Sequence, residues 1–96
     1  LSGARSDQRI VNIDNVPFDV PPADHMVVIT NDDRPGVIGT VGTLLGNAGV
    51  NIADMDVSRV DGSGTAVMLI APSAAIPEAT LAALGAAPGI IDVKTL

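Results

Sequence analysis

An amphipathic helix that directly follows a strongly apolar run constrains the fold of this chain more than any other feature. The helical stretch spans residues 35–48, and its apolar residues form one stripe at the spacing of an α-helix. They are Val37, Ile38, Val41, Leu44, Leu45 and Ala48. The preceding run, residues 26–30, is apolar on both alternating faces, which is typical of a central strand. A helix with one apolar face packs well on a sheet, so the pattern predicts a layered α+β domain.

The ends of this helix carry the expected signals. Asp33 can cap the first turn, Pro35 suits the start, and Gly49 suits a left-handed end. Three glycines lie off the apolar stripe, and each costs about 1 kcal/mol relative to alanine in a helix interior. They are Gly39, Gly42 and Gly46. We expect close helix packing or a ligand to compensate for this cost.

The rest of the chain alternates between strand and helix patterns. Residues 50–60 form a predicted strand whose apolar face changes near Ile52-Ala53, which indicates a bulge. Beyond the bulge, the opposite face of the strand carries the polar residues Asp54, Asp56 and Ser58. We therefore expect that side of the sheet to be solvated. Turn residues at 61–64 and an apolar run at 65–71 complete a hairpin. A short helix from Pro77-Glu78 and a strand at 90–96 follow, which gives the ferredoxin-like βαββαβ order. We therefore expect a four-stranded antiparallel sheet with two helices on one face.

A separate β-hairpin is predicted before this domain. Residues 9–13 and 16–20 are short β-type runs joined by Asp14-Asn15, and Pro17 places the second run at an edge. The segment Pro21-Pro22-Ala23-Asp24 breaks the pattern. We expect a linker remnant at 1–8, the hairpin at 9–22 and the main domain at 24–96. Because the chain begins with Leu1, we interpret it as part of a longer polypeptide.

Composition excludes several functions. Ninety-six residues suffice for one core, and the net charge of −6 with one aromatic residue offers no basic or stacking surface for nucleic acid. No apolar stretch is long enough to cross a membrane. The chain has no cysteine, so we expect no thiol chemistry and a cytoplasmic protein. No metal-ligand or catalytic spacing surrounds His25, the single histidine, so we expect neither a metal site nor catalysis in this fragment.

The segment Val-Val-Ile-Thr-Asn-Asp-Asp-Arg-Pro-Gly-Val-Ile-Gly, residues 27–39, resembles the first strand, loop and helix start of ACT domains. Gly-Val-Asn-Ile at 49–52 and Gly-Ile-Ile-Asp-Val at 89–93 resemble the second and fourth strands of the same family. The hairpin at 9–14 is similar to the stretch that precedes the ACT domain in D-3-phosphoglycerate dehydrogenases. Iron-sulfur L-serine dehydratases carry a similar hairpin and ACT segment, and they remain an alternative parent.

A binding site for a free amino acid is the function that this resemblance implies. Side-chain oxygens of Asn31 and Asp33 can accept hydrogen bonds from an ammonium group, and helix-opening amides can donate to a carboxylate. In the family, an asparagine at the position of Asn51 reaches the ligand, often from the neighbouring subunit. The expected site comprises Asn31, Asp33, Pro35, Gly36, Val37, Ile38 and Asn51.

The resemblance also implies partners for this domain. ACT domains of this type form homodimers by joining edge strands, and the effector in phosphoglycerate dehydrogenases is typically L-serine. Some members have His or Tyr at the position of Asn31, so the chain departs from them there. The implied parent is an NAD-dependent enzyme of serine biosynthesis, with NAD bound in upstream catalytic domains.

Structural interpretations of the same residues remain open. Asn31 and Asp33 are also common turn and cap residues, and Asn51 is a common residue between a helix and a strand. Asp54 and Asp56 fit a solvated sheet face better than a pair of catalytic carboxylates. A dimerisation module that binds no small molecule is the alternative function.

Overall fold

A computed structural model describes residues 9–13, 16–20, 25–60 and 62–96. The strands and helices in these segments are β1 (Arg9–Ile13), β2 (Val16–Val20), β3 (Val27–Asp32), α1 (Val37–Asn47), β4 (Ile52–Val60), β5 (Thr65–Pro72), α2 (Glu78–Ala86) and β6 (Ile90–Thr95). From β3 onward, the order confirms the expected ferredoxin-like arrangement. The predictions for residues 1–8 and 21–24, the Asp14-Asn15 turn and Asp61 concern positions outside the described residues.

The main sheet has the strand order β4-β5-β3-β6, and every neighbouring pair is antiparallel. Strands β4 and β6 are therefore the edges of this sheet. The pairing of β4 with β5 shifts between Ile52 and Asp54, and this confirms the bulge near Ala53. In the separate two-stranded sheet, β1 pairs with β2. Pro17 thus lies on an edge strand, as expected.

Both helices cover one face of the main sheet. The core on this side combines residues of β3 and β5 with the apolar stripe of α1 and one leucine of α2. Its buried members are Val27, Ile29, Val37, Val41, Leu45, Val50, Met68, Ile70 and Leu84. Each fully buried aliphatic side chain contributes about 1.5–3 kcal/mol relative to an exposed one, so this cluster provides much of the stability.

The other face of the sheet is covered as well. Phe18 of β2 is 1% exposed and packs with Val28, Val67 and Leu69 in a second buried cluster. The expectation of a solvated face is therefore wrong: the three polar residues of β4 on that side, Asp54, Asp56 and Ser58, are half-buried. The reason is tertiary, because the alternation within β4 carries no information about a hairpin that folds back over the sheet.

Strand β3 is longer than its apolar run predicts. It continues past Thr30 because Asn31 and Asp32 still pair with β5, opposite Ala66 and Thr65. The connection to the helix therefore begins later than the apolar run at 26–30 predicts, and Asn31 belongs to the sheet.

Helix α1 also begins later than predicted. The residue before it, Gly36, has a left-handed φ of 92°, and no side chain caps the helix, so the expected capping by Asp33 is wrong. Its end follows the prediction, because Gly49 has a φ of 76°. There the amide of Val50 donates to the carbonyl of Leu45, which is the Schellman pattern.

The glycines of α1 do not serve close packing within the chain. A Cβ atom added at Gly39, Gly42 or Gly46 meets no atom of its surroundings within 4 Å. The packing explanation for these glycines is therefore wrong for the single chain, and no contact among the described residues explains them.

Gly89, in contrast, occupies a restricted position between α2 and β6. Its φ is 86°, and an added Cβ atom would lie 2.9 Å from Cγ2 of Val37. We expect Gly89→Ala to lower the free energy of unfolding by about 2–4 kcal/mol, because left-handed strain and overpacking add. Gly85→Ala in α2 is the control, since its added Cβ meets nothing and alanine favours the helix. Urea unfolding measures both variants, and equal stability of Gly89→Ala and the unmutated chain would contradict this description of the turn.

Candidate functional site

The connection between β3 and α1 forms an open cleft at one end of the sheet. The cleft has a volume of about 380 Å³, and its lining consists of Asp33, Arg34, Pro35, Gly36, Ile38 and Arg59. An adjoining cleft of about 240 Å³ shares three of these residues and adds Val37, Thr40 and Pro88. The structure therefore brings together five of the seven residues in the expected site.

Two neighbouring turns hold Asp33 in this cleft. Its amide donates to the carbonyl of Gly64 at 2.9 Å, next to the β4–β5 turn. Its carboxylate Oδ2 accepts a hydrogen bond from Nε of Arg59 at 2.8 Å. Asp33 thus binds the end of the edge strand β4 and does not cap the helix start, although both line the same cleft.

Arg59 is the site residue that sequence reasoning missed. It is the last residue but one of β4, and it lies on the helix side of the sheet because it pairs with Ala66 in the same row as Asn31. The available signal was its position as the one basic residue of β4, just before the glycine-rich turn. That signal does not identify a partner, since Asp33 lies 26 residues earlier in the sequence.

The second cation of the cleft, Arg34, has a different environment. Its Nε lies 3.6 Å from Oδ2 of Asp32, and its side chain is 56% exposed. The guanidinium also borders Gly89, where an added Cβ would lie 3.2 Å from Nη2. Arg34 therefore extends over the α2–β6 turn.

The start of α1 offers hydrogen-bond donors to the cleft. The first amides of any α-helix lack an intrahelical acceptor, and in α1 no side chain caps them. Gly36 and Ile38 are exposed there, whereas the side chain of Val37 is buried in the core. Together with the positive end of the helix dipole, these amides favour a bound anion such as a carboxylate.

Asn31 lies outside the lining of the cleft. Its side chain is 3% exposed, and its Nδ2 donates to the neighbouring carbonyl of Asp32 at 2.8 Å. Its Oδ1 is buried and accepts no hydrogen bond from any described residue. A buried acceptor left without a donor costs about 1–3 kcal/mol, so this atom is a candidate acceptor for a ligand.

Asn51 lies at the opposite end of the sheet. Its amide donates to Oγ of Ser73 at 3.1 Å, and its carbonyl accepts from the amide of Ser73 at 2.8 Å. The backbone is thereby fixed while the residue as a whole stays exposed. Within one chain, the structure does not bring Asn51 to the Asp33 cleft.

The remaining features give no further candidate of comparable chemistry. His25 is exposed and lines an apolar cleft of about 200 Å³ at the far end, with Pro72, Ile76 and Leu96 among its neighbours. Across the described ranges, no three His, Cys, Asp or Glu residues cluster as metal ligands would. Neither helix of the described part is long and apolar enough to cross a membrane.

The antiparallel sheet, with both helices on one face and a polar strand-to-helix cleft, defines a ferredoxin-like domain of the ACT type. The chain belongs to the ACT domain family, whose model matches residues 25–89. It is similar to D-3-phosphoglycerate dehydrogenases, with 38% identity over 88 residues to that of Synechocystis sp. and 36% over 89 residues to that of Bacillus subtilis. These alignments cover 92% and 93% of this chain. They cover 16% and 17% of the dehydrogenases, so the chain spans about a sixth of their length.

Solved structures support the same fold. An unknown protein from Galdieria sulphuraria matches with a TM-score of 0.60 and 22% identity over 74% of this chain and 42% of its own. GqqA, described as a novel type of quorum quenching acylase, matches with a TM-score of 0.60 and 21% identity over 85% of this chain and 46% of its own. At these identities the likeness shows the architecture alone.

The buried acceptor of Asn31 leads to a stability prediction. We expect Asn31→Leu to leave the free energy of unfolding unchanged or to raise it by up to about 1 kcal/mol, because the orphaned oxygen disappears from the core. As a comparison, Val28→Asn buries a new amide at a β3 position on the other face of the sheet and should cost at least about 1–3 kcal/mol. Urea unfolding of both variants measures the difference. A loss at Asn31→Leu as large as that at Val28→Asn would show that Oδ1 has a partner in the folded chain.

Proposed function

We propose that this chain is the regulatory ACT domain of a D-3-phosphoglycerate dehydrogenase and binds L-serine between two copies of itself. The observation that carries the proposal is the cleft at the β3–α1 connection, where a carboxylate and uncapped helix amides line one space. The dehydrogenase parent rests on the similarity to relatives of that name. The choice of L-serine as the ligand rests on the family resemblance.

The cleft matches the chemistry of a free amino acid, which carries an ammonium group and a carboxylate. Asp33 accepts hydrogen bonds from the ammonium group, and the amides of Gly36, Val37 and Ile38 donate to the carboxylate. Pro35 and Gly36 are exposed and leave the backbone approachable. Each charge-assisted hydrogen bond contributes about 1.5–3 kcal/mol, so a few give an affinity suited to sensing a metabolite.

Asn31 contributes to this site only when the loop adjusts. Its Oδ1 is an acceptor without a donor, which suits an ammonium group, but the side chain is 3% exposed. We therefore propose that the ligand, on binding, slightly displaces the β3–α1 loop and so exposes Asn31. This movement is the conformational change that the ligand selects.

A second copy of the chain accounts for Asn51. Strand β4 is an edge with unpaired backbone groups, and three exposed apolar side chains lie along it or beside it: Ile38, Ile52 and Val57. Antiparallel pairing of two β4 strands about a two-fold axis sets the start of one strand beside the end of the other. The partner's Asn51 then approaches the end that carries Arg59 and Asp33.

In the intact protein, we propose a cytoplasmic enzyme whose NAD-dependent catalytic domains precede this one. Residues 1–8 form the linker, residues 9–22 the hairpin and residues 24–96 the ACT domain. The ligand binds one dimer arrangement more tightly than another. The difference between the two binding free energies is the coupling free energy that shifts the conformation of the catalytic domains.

A dimerisation module without a ligand is the second candidate. It is favoured by the observation that the protein itself satisfies part of the site, because Arg59 already binds Asp33 and Asn31 is buried. The exposed edge of β4 serves this function equally well.

A melting scan with amino acids separates the two candidates. We expect L-serine at about 100 times its Kd to raise the melting midpoint by about 10–20 °C, because it binds only the folded state. Asp33→Ala should remove this shift, while Asp92→Ala, an exposed carboxylate on the other edge strand, should retain it. A dimer whose midpoint responds to no amino acid would establish the module without a ligand.

A further inference from the structure

The guanidinium of Arg59 has hydrogen-bond donors that its bond to Asp33 does not use. It lines the cleft, its side chain is 76% exposed, and its one described contact is the bond from Nε to Oδ2 of Asp33 at 2.8 Å. A guanidinium carries five N–H donors, so the four on its two Nη atoms remain for another acceptor. Asp33 likewise keeps its second oxygen, Oδ1, for another donor.

Folding does not explain why these two side chains meet. An exposed ion pair contributes about 0–1 kcal/mol to stability, because water screens the charges and two long side chains lose freedom. Arg59 lies on an edge strand and lines the cleft, where its mostly exposed side chain is open to a ligand. The pair is therefore better explained by what binds in the cleft.

We propose that Arg59 is a further ligand-binding residue, which holds the carboxylate of the amino acid while Asp33 holds its ammonium group. This inference rests on the proposed function and names a contact within the same cleft. A zwitterion has opposite charges a short distance apart, and the Asp33–Arg59 pair presents the complementary charges side by side. The planar guanidinium can bind a carboxylate through two parallel hydrogen bonds, next to the amides of α1.

Arg59 is a better candidate for this role than Arg34. The Nε of Arg34 lies near Asp32, and its guanidinium covers Gly89 at the turn into β6. Arg59 is instead bonded to the carboxylate that binds the ammonium group. Because Arg59 belongs to β4, a ligand that it holds also connects the loop to the strand where the partner pairs.

The test compares L-serine with L-serinamide, which lacks the carboxylate, in a mildly acidic buffer that keeps both amines protonated. Titration calorimetry on this chain gives both affinities for the unmutated protein, Arg59→Gln and Arg59→Lys. Lys94→Gln, at an exposed position near the end of β6, is the matched control, since it removes the same charge far from the cleft. Unfolding by urea checks that each variant is folded.

We expect Arg59→Gln to weaken L-serine binding by about tenfold to a hundredfold and to leave L-serinamide binding nearly unchanged. The affinity of Arg59→Lys for L-serine should lie between those of Arg59→Gln and the unmutated chain, because lysine keeps the charge but lacks the planar guanidinium. An equal loss for both ligands, or no loss, would overturn the role of Arg59 and leave the proposed function standing. Absence of L-serine binding by the unmutated chain would overturn the proposed function as well.

Discussion

The pairing of the last two residues of β3 positions the whole candidate site. Asn31 and Asp32 stay in the sheet, opposite Ala66 and Thr65 of β5, so the chain leaves the sheet only at Asp33. Backbone bonds then fix the exit on both sides: the amide of Asp32 donates to Gly89 at 2.7 Å and that of Asp33 to Gly64 at 2.9 Å. The left-handed Gly36 turns the chain into α1 from this fixed point, and the uncapped amides therefore border the carboxylate of Asp33.

Features with a local cause followed from the sequence. The stripe of α1, the end of that helix at Gly49 and the bulge near Ala53 depend on periodicity and turn chemistry within a few residues, and all three were predicted correctly. The extension of β3 was missed because polar residues continue a strand only when neighbouring strands hold them. Phe18 on the second face and the bond from Arg59 to Asp33 were missed because each joins distant parts of the chain.

The site is also where the chain departs from the rules of stable packing. A buried amide oxygen without a donor, a helix without a side-chain cap and a helix rich in glycine each lower stability. The first two lie beside the cleft, whereas the rest of the sheet is covered by apolar residues on both faces. Such a concentration of unfavourable features is typical of a functional site, where a ligand or a second chain supplies the missing contacts. It agrees with the regulatory role that membership of the ACT family supports.

The central claim is that one chain supplies Asp33 and the other supplies Asn51 to each site. Mixing two variants tests it most directly: Asp33→Ala and Asn51→Ala are each titrated alone with L-serine, then refolded together in equal amounts and titrated again. Neither variant should bind alone, and the mixture should regain roughly a quarter of the unmutated number of sites per chain, because half of the dimers combine both variants and contain one intact site. A mixture that binds no more L-serine than the separate variants, or full binding by Asn51→Ala alone, would contradict the shared site.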